Sequence, residues 1–153
     1  SDGHKCAELS SNKIPELFSA ALKDGADINA ALTQSHLTAH QLTLSEPSIE
    51  GTMSGTTSVV LLLDANKCKI SNVGDSACIW GTRNQDGSTI AKHLCSEHTP
   101  LRADERNRIK KAGGVVMTVD QRDGLSPMNE NWGEHGESPR VWSPENDKFP
   151  GCR

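Results

Sequence analysis

The feature that most constrains the fold of this chain is a change in the spacing of its apolar residues. Up to about Leu44 these residues recur every three or four positions, as in Ile14, Leu17 and Ala21, which is the spacing of one helix face. From Thr57 onward, short apolar and β-branched runs alternate with turn residues, a pattern typical of strands. The order predicts helices followed by antiparallel strands, an α+β fold.

Two helices are predicted between Ala7 and Leu44. Asp24-Gly25 separates them, because glycine adopts the left-handed conformation that ends a helix. Either Asp27 or Asn29 can cap the second helix, and Pro47 is expected to end it.

Four strands are predicted next, in two pairs that form a meander. The first pair is joined by turn residues 64–67 and the second by residues 84–87, which contain Asp-Gly. The predicted strands are 57–63, 68–73, 77–82 and 89–94.

A third helix and a long irregular segment complete the pattern. The helix is predicted from Arg102 to Ala112, with acids in its first turn, bases in its last turn and Gly113-Gly114 as a stop. Residues 115–142 begin with a predicted strand, 115–119, and then become polar. Long irregular segments are often functional, so we interpret residues 115–142 as a flap or insertion within a single partial domain, 1–153.

Composition excludes some classes of partner. Sixteen basic against 20 acidic residues give a net charge of −4, without the basic cluster that nucleic acid attracts. The longest apolar run, Val59 to Leu63, is too short to cross a bilayer. Five cysteines without a CxxC pair favour reduced thiols and a cytoplasmic or nuclear location. We expect no nucleic acid or membrane partner, and a monomer.

Two short motifs carry candidate chemistry. Asp2-Gly3-His4 combines a carboxylate suited to Mg²⁺ or Mn²⁺, a glycine whose carbonyl can approach an ion, and an imidazole that transfers protons near neutral pH. Asp75, in Gly74-Asp75-Ser76, lies between two predicted strands. Taken singly, each motif also fits an ordinary surface turn.

The order of the motifs resembles the type 2C (PPM) family of metal-dependent serine/threonine protein phosphatases. The resemblance extends from the first residues to about Trp142 and is densest between Ser54 and Gly114. The motifs are Asp2-Gly3-His4, Ser54-Gly55-Thr56-Thr57, Asn72-Val73-Gly74-Asp75-Ser76, His98-Thr99-Pro100, and Glu105 to Ile109 followed by Ala112-Gly113-Gly114.

The resemblance implies an antiparallel β-sandwich with helices on its outer faces (α-β-β-α) and hydrolysis of phosphoserine and phosphothreonine in proteins. Two or more Mg²⁺ or Mn²⁺ ions would take part. It implies that Asp2 bridges two ions, that Gly3 offers its carbonyl to one of them, and that Asp75 binds a further, weakly held ion. His4 would be the general acid.

The chain also departs from the family pattern. Lys5-Cys6 stands where two glycines usually follow Asp-Gly-His, and Glu97 stands where an Asp commonly precedes His-x-Pro. The family's phosphate-binding Arg and its remaining acidic metal ligands have no counterpart here. We therefore expect an internal piece of a longer protein, incomplete at both ends, with a partial metal shell.

Alternative interpretations remain. A phosphatase-like module without activity could use residues 115–142 to bind a partner protein, or a small α+β domain could match the motifs by coincidence.

His36 and His40 share a helix face and could bind zinc if further ligands joined them. Trp132 and Trp142 could contact a substrate or pack onto the domain.

Overall fold

The computed structural model describes residues 2–51, 53–132 and 138–143. They form two compact units, the first ending at Glu97 and the second beginning at His98. Along the chain the elements are α1 (Gly3–Lys23), α2 (Ile28–Ser45), β1 (Ser58–Asp64), β2 (Lys67–Val73), β3 (Ile79–Arg83), β4 (Thr89–His93), α3 (Ala103–Lys111), β5 (Val115–Met117), α4 (Val119–Arg122) and β6 (Arg140–Trp142).

The first unit opens with two helices, as predicted, although α1 begins at Gly3 rather than at Ala7. Cys6 and Ile14 of α1 and Leu32 of α2 are buried. Gly25, at φ +88°, ends α1, and the Asp27 carboxylate caps α2 by accepting hydrogen bonds from the backbone N–H groups of residues 29 and 30. α2 ends at Ser45, two residues before Pro47, because proline disfavours helical geometry in the residue before it.

The strands form antiparallel pairs, which confirms the α+β class. β1 pairs with β2 from Ser58↔Val73 to Asp64↔Lys67, and β3 pairs with β4 from Ile79↔His93 to Arg83↔Thr89. The prediction of one continuous meander is wrong, because within the described ranges β2 does not pair with β3. β3 and β4 instead form a separate two-stranded sheet, and Gly74, at φ +97°, lies in the turn directly after β2.

Both hairpins leave large apolar side chains in solvent. Every residue of β3 and β4 is exposed, including Ile79, Trp80 and Ile90. Leu61 and Leu63 of β1 are exposed as well. Apolar exposure on this scale fits sheets whose faces are covered by further structure.

The second unit has a small core of its own, formed by Ile109, Val116 and Trp132, with Val141 packed against them. Gly113, at φ +84°, ends α3 as predicted. β5 pairs with β6 from Val115↔Trp142 to Met117↔Arg140. β5 is two residues shorter than predicted because Thr118 caps α4.

The two tryptophans of this unit are packing residues. Trp132 is 5% exposed and donates a hydrogen bond from its indole N–H to the Gln121 side-chain oxygen, and Trp142, 2% exposed, donates to the Met117 carbonyl. Substrate contact by these indoles is therefore not supported. The pairing of β5 with β6 anchors both ends of segment 115–142, and its role as a flap stays a prediction.

No helix in the described parts of the chain combines the length and the apolar character needed to cross a bilayer.

Candidate active site

Asp2 lies immediately before α1 and is fixed through its backbone. Its carbonyl accepts hydrogen bonds from the N–H groups of Lys5 and Cys6, at 2.9 and 3.1 Å, in the first turn of the helix. Its own N–H donates to the Ser54 hydroxyl at 2.7 Å. The Ser54 contact ties the start of α1 to the segment that leads into β1.

The Asp2 carboxylate is engaged on both oxygens. Oδ2 accepts a hydrogen bond from the backbone N–H of Glu50 at 3.1 Å, and Oδ1 lies 3.2 Å from the Lys5 ammonium. The Glu50 N–H, followed by Lys5, lowers the pKa of Asp2 from its usual value of 3.8, because both groups stabilise the ionised carboxylate. Asp2 is therefore an anion at neutral pH whose charge is already paired.

Gly3 and His4 belong to the first turn of α1. The Gly3 carbonyl is directed along the helix axis, where carbonyls accept a hydrogen bond from the residue four positions on, so it is the least available of the predicted ligands. His4 is exposed and makes no hydrogen bond to any described residue, which leaves both ring nitrogens accessible.

Asp75 lies in the turn after β2 and is exposed. Gly74 precedes it at φ +97°, and a Cβ atom there would lie 2.6 Å from Cγ2 of Thr57, so only glycine fits. The Asn72 amide donates to the carbonyls of Gly74 and Ser96 at 3.3 and 3.2 Å. The backbone that presents Asp75 is thus fixed while its carboxylate is open to solvent.

One segment links the two motifs. Ser54, at its start, accepts from the Asp2 N–H, and the Thr57 hydroxyl, at its end, lies 2.7 Å from the Ser76 hydroxyl. Three residues span at most about 11 Å. The fold therefore brings the Asp2 and Asp75 motifs, which are distant in sequence, to the two ends of one short connection.

The donors fit a hard divalent cation by type but not in number. Carboxylate oxygens are the ligands that Mg²⁺ and Mn²⁺ take, and Asp2 and Asp75 supply them. No group of three or more metal-ligating side chains occurs in residues 2–51, 53–132 and 138–143. That Asp2 and Asp75 form part of a metal shell stays a prediction.

The other candidate ligands have different roles. His36 contacts the Leu32 carbonyl and the Ser58 hydroxyl through its two ring nitrogens, at 2.8 and 3.2 Å, so it links α2 to β1 rather than binding zinc with His40. Glu130 is paired with Arg106 and Lys110. Four further acids near the end of the sequence, Glu134, Glu137, Glu145 and Asp147, lie outside the described residues.

Sequence reasoning missed the environment of Asp2. The sequence shows that Lys5 departs from the family pattern, but not which groups it contacts. Its ammonium donates to the Ser48 carbonyl at 2.7 Å, across 43 residues of sequence. The Glu50 contact is made by the backbone, which no side-chain motif reports.

Comparison with known proteins gives a consistent result. The family model described as protein phosphatase 2C matches residues 1–125. "Probable protein phosphatase 2C 35" of Arabidopsis thaliana is 31% identical over 98% of the chain and 45% of its own length. "Probable protein phosphatase 2C 64" of Oryza sativa subsp. japonica is 30% identical over 95% of the chain and 33% of its own length.

A fungal relative has the same family name. "Protein phosphatase 2C homolog 2" of Hypocrea jecorina is 32% identical over 75% of the chain and 26% of its own length. The chain thus spans less than half the length of these curated relatives. No solved structure matches it significantly.

Proposed function

Because the chain belongs to the protein phosphatase 2C family, we propose that the whole protein hydrolyses phosphoserine and phosphothreonine in other proteins with the help of Mg²⁺ or Mn²⁺. The observation that carries the proposal is the family match over residues 1–125, which includes both candidate motifs. The activity is proposed for the whole protein, since the chain spans 45% or less of these relatives.

Asp2 and Asp75 are the residues of this chain that would hold divalent ions. The Gly3 carbonyl, which lies in the first turn of α1, would be the weakest of the three proposed donors. Bound ions would activate a water molecule and neutralise charge that develops on the phosphoryl oxygens. Asp2 is held rigidly at the start of α1 by Ser54 and Glu50, and Asp75 by the backbone around Gly74. Because both aspartates are held rigidly, they need not be reordered when the ions bind or the reaction takes place.

His4 would protonate the departing serine or threonine oxygen. Its imidazole is exposed and has no hydrogen-bond partner among the described residues, so it can approach a bound phosphoprotein. A histidine imidazole placed beside the leaving oxygen can donate the proton that a general acid supplies.

The test compares two exposed histidines in the full-length protein. With Mn²⁺ and a phosphothreonine peptide, His4→Ala is expected to lower turnover by roughly 10²- to 10⁴-fold, the usual contribution of a general acid. The matched control is His40→Ala, which removes an exposed histidine of α2. Equal turnover in the two variants would remove His4 from the mechanism.

A second candidate function is a phosphatase-like module that binds a partner protein through residues 115–142 without catalysis. The specific observation in its favour is the pairing of Asp2 with Lys5, because a carboxylate neutralised by an ammonium attracts a divalent ion less strongly. This candidate predicts that the full-length protein shows no Mn²⁺-dependent turnover while partner binding is insensitive to EDTA.

We also propose that the protein acts on phosphoprotein substrates as a monomer in the cytoplasm or nucleus, a location that the unpaired cysteines favour, and the net charge of −4 argues against nucleic acid as a partner.

A further inference from the structure

The Lys5 ammonium occupies a point where two oxygen atoms converge. Its Nζ lies 2.7 Å from the Ser48 carbonyl oxygen and 3.2 Å from Oδ1 of Asp2. A carboxylate and a backbone carbonyl are the donor types from which divalent-cation sites are built. The lysine ammonium therefore lies where a bound cation would contact two oxygen ligands.

We propose that Lys5 is an internal cation that competes with a divalent ion for Asp2, so that the metal affinity of this site is set by residue 5. The proposal rests on the proposed function for its relevance to turnover, but it concerns metal binding alone. An ion that takes Asp2 Oδ1 must displace the ammonium, because two cations cannot share that oxygen at contact distance without strong repulsion.

The geometry around Lys5 makes this displacement costly. Ser48 lies in the turn after α2, and Glu46 Oε1 accepts hydrogen bonds from both the N–H and the hydroxyl of Ser48. The Glu50 N–H reaches the other oxygen of Asp2. Lys5 and Asp2 thus fasten this turn to the start of α1 through two long-range contacts, and moving Lys5 away breaks one of them.

The ion pair is partly shielded from water. The Asp2 side chain is 28% exposed and that of Lys5 is 40% exposed. A second ion pair in the same helix, Lys13 with Glu16, has the same spacing of three residues, at 43% and 65% exposure. Lys13 therefore provides a matched control that removes a helix lysine without touching Asp2.

The test measures Mn²⁺ binding to the full-length protein by electron paramagnetic resonance of the free ion, without substrate. Lys5→Gly and Lys5→Gln are each expected to tighten the Asp2-dependent site by roughly tenfold, since each removes one positive charge beside the carboxylate. Lys5→Gln keeps a donor for the Ser48 carbonyl, so a gain in this variant does not depend on loss of the turn.

Two further variants test whether the gain in Mn²⁺ affinity depends on the Asp2 carboxylate and whether it is specific to Lys5. Adding Asp2→Asn to Lys5→Gly should abolish the gain, and Lys13→Gln should leave Mn²⁺ affinity unchanged. The proposal is overturned if both Lys5 variants bind Mn²⁺ as the wild type does, or if the gain persists without the Asp2 carboxylate. Because no turnover is measured, a failure here is distinct from an absence of phosphatase activity in the peptide assay.

Discussion

The start of α1 and the turn after β2 each present an aspartate, but in opposite states. Asp2 has both carboxylate oxygens engaged, by the Glu50 N–H and by Lys5, whereas Asp75 is exposed and has no partner among the described residues. The difference shows that the availability of a carboxylate for a ligand depends on its neighbours in the fold, which for Asp2 include Glu50, a residue distant in sequence. The two motifs look equally available when read as sequence.

Disruption of the Asp75 turn should have the largest effect on stability. Gly74→Ala forces a side chain into φ +97° and to within 2.6 Å of Thr57, so the free energy of unfolding should fall by about 3 kcal/mol. Gly25→Ala also has positive φ, but nothing lies within 4 Å of its Cβ position, and it should cost only about 1 kcal/mol. Urea unfolding of the full-length variants measures both, and equal losses would contradict the packing argument.

Removal of a hydrogen-bond donor from the same turn should cause the next largest loss of stability. Asn72→Asp replaces the amide that donates to the Gly74 and Ser96 carbonyls with an acceptor, leaving those carbonyls opposed by negative charge. We expect a loss of roughly 2 kcal/mol in unfolding free energy. Unchanged stability in thermal and urea unfolding would show that the amide does not hold the turn.

Loss of the Asp75 carboxylate should affect metal dependence more than folding. Asp75→Asn is expected to raise the Mn²⁺ concentration needed for half-maximal turnover by roughly tenfold or more, while the melting temperature stays within about a degree or two. Asp64→Asn, at the exposed end of β1, is the matched control. A metal titration that is superimposable for the two variants would remove Asp75 from the site.

The smallest expected effect is at Glu46, whose carboxylate supports the turn that contacts Lys5 and Asp2. Its pKa is lowered from 4.5, first by the Ser48 hydroxyl and then by the Ser48 N–H. A lowered folded-state pKa gives stability that is present above pH 4.5 and is lost as the pH falls through the lower folded value. Glu46→Gln should flatten that acid limb when unfolding is measured from pH 6 to pH 3, and an unchanged slope would contradict the role of Ser48.

Most helices and hairpins could be predicted because their signals are local. Apolar spacing defined α1 and α2, Gly25 and Asp27 defined the boundary between them, and Gly113 ended α3, all through contacts within a few residues. The family motifs identified Asp2 and Asp75 as candidates for the same reason, because each motif is a short run of neighbouring residues.

What could not be predicted depends on contacts between distant segments. The Lys5 to Ser48 hydrogen bond spans 43 residues, and the separation of the two hairpins into different sheets has no marker in the residue pattern of the strands. From the sequence, both tryptophans were compatible with an exposed or a packed role. In the structure both are buried and their indole N–H groups donate hydrogen bonds, so both are packing residues.

The proposed activity is tested directly by Mn²⁺-dependent dephosphorylation of a phosphothreonine peptide by the full-length protein and by Asp2→Asn, with Asp64→Asn as control. We expect turnover in the wild type and the control, and a loss of roughly a hundredfold or more in Asp2→Asn. Absence of Mn²⁺-dependent turnover in the wild type, or equal turnover in all three proteins, would contradict the proposal.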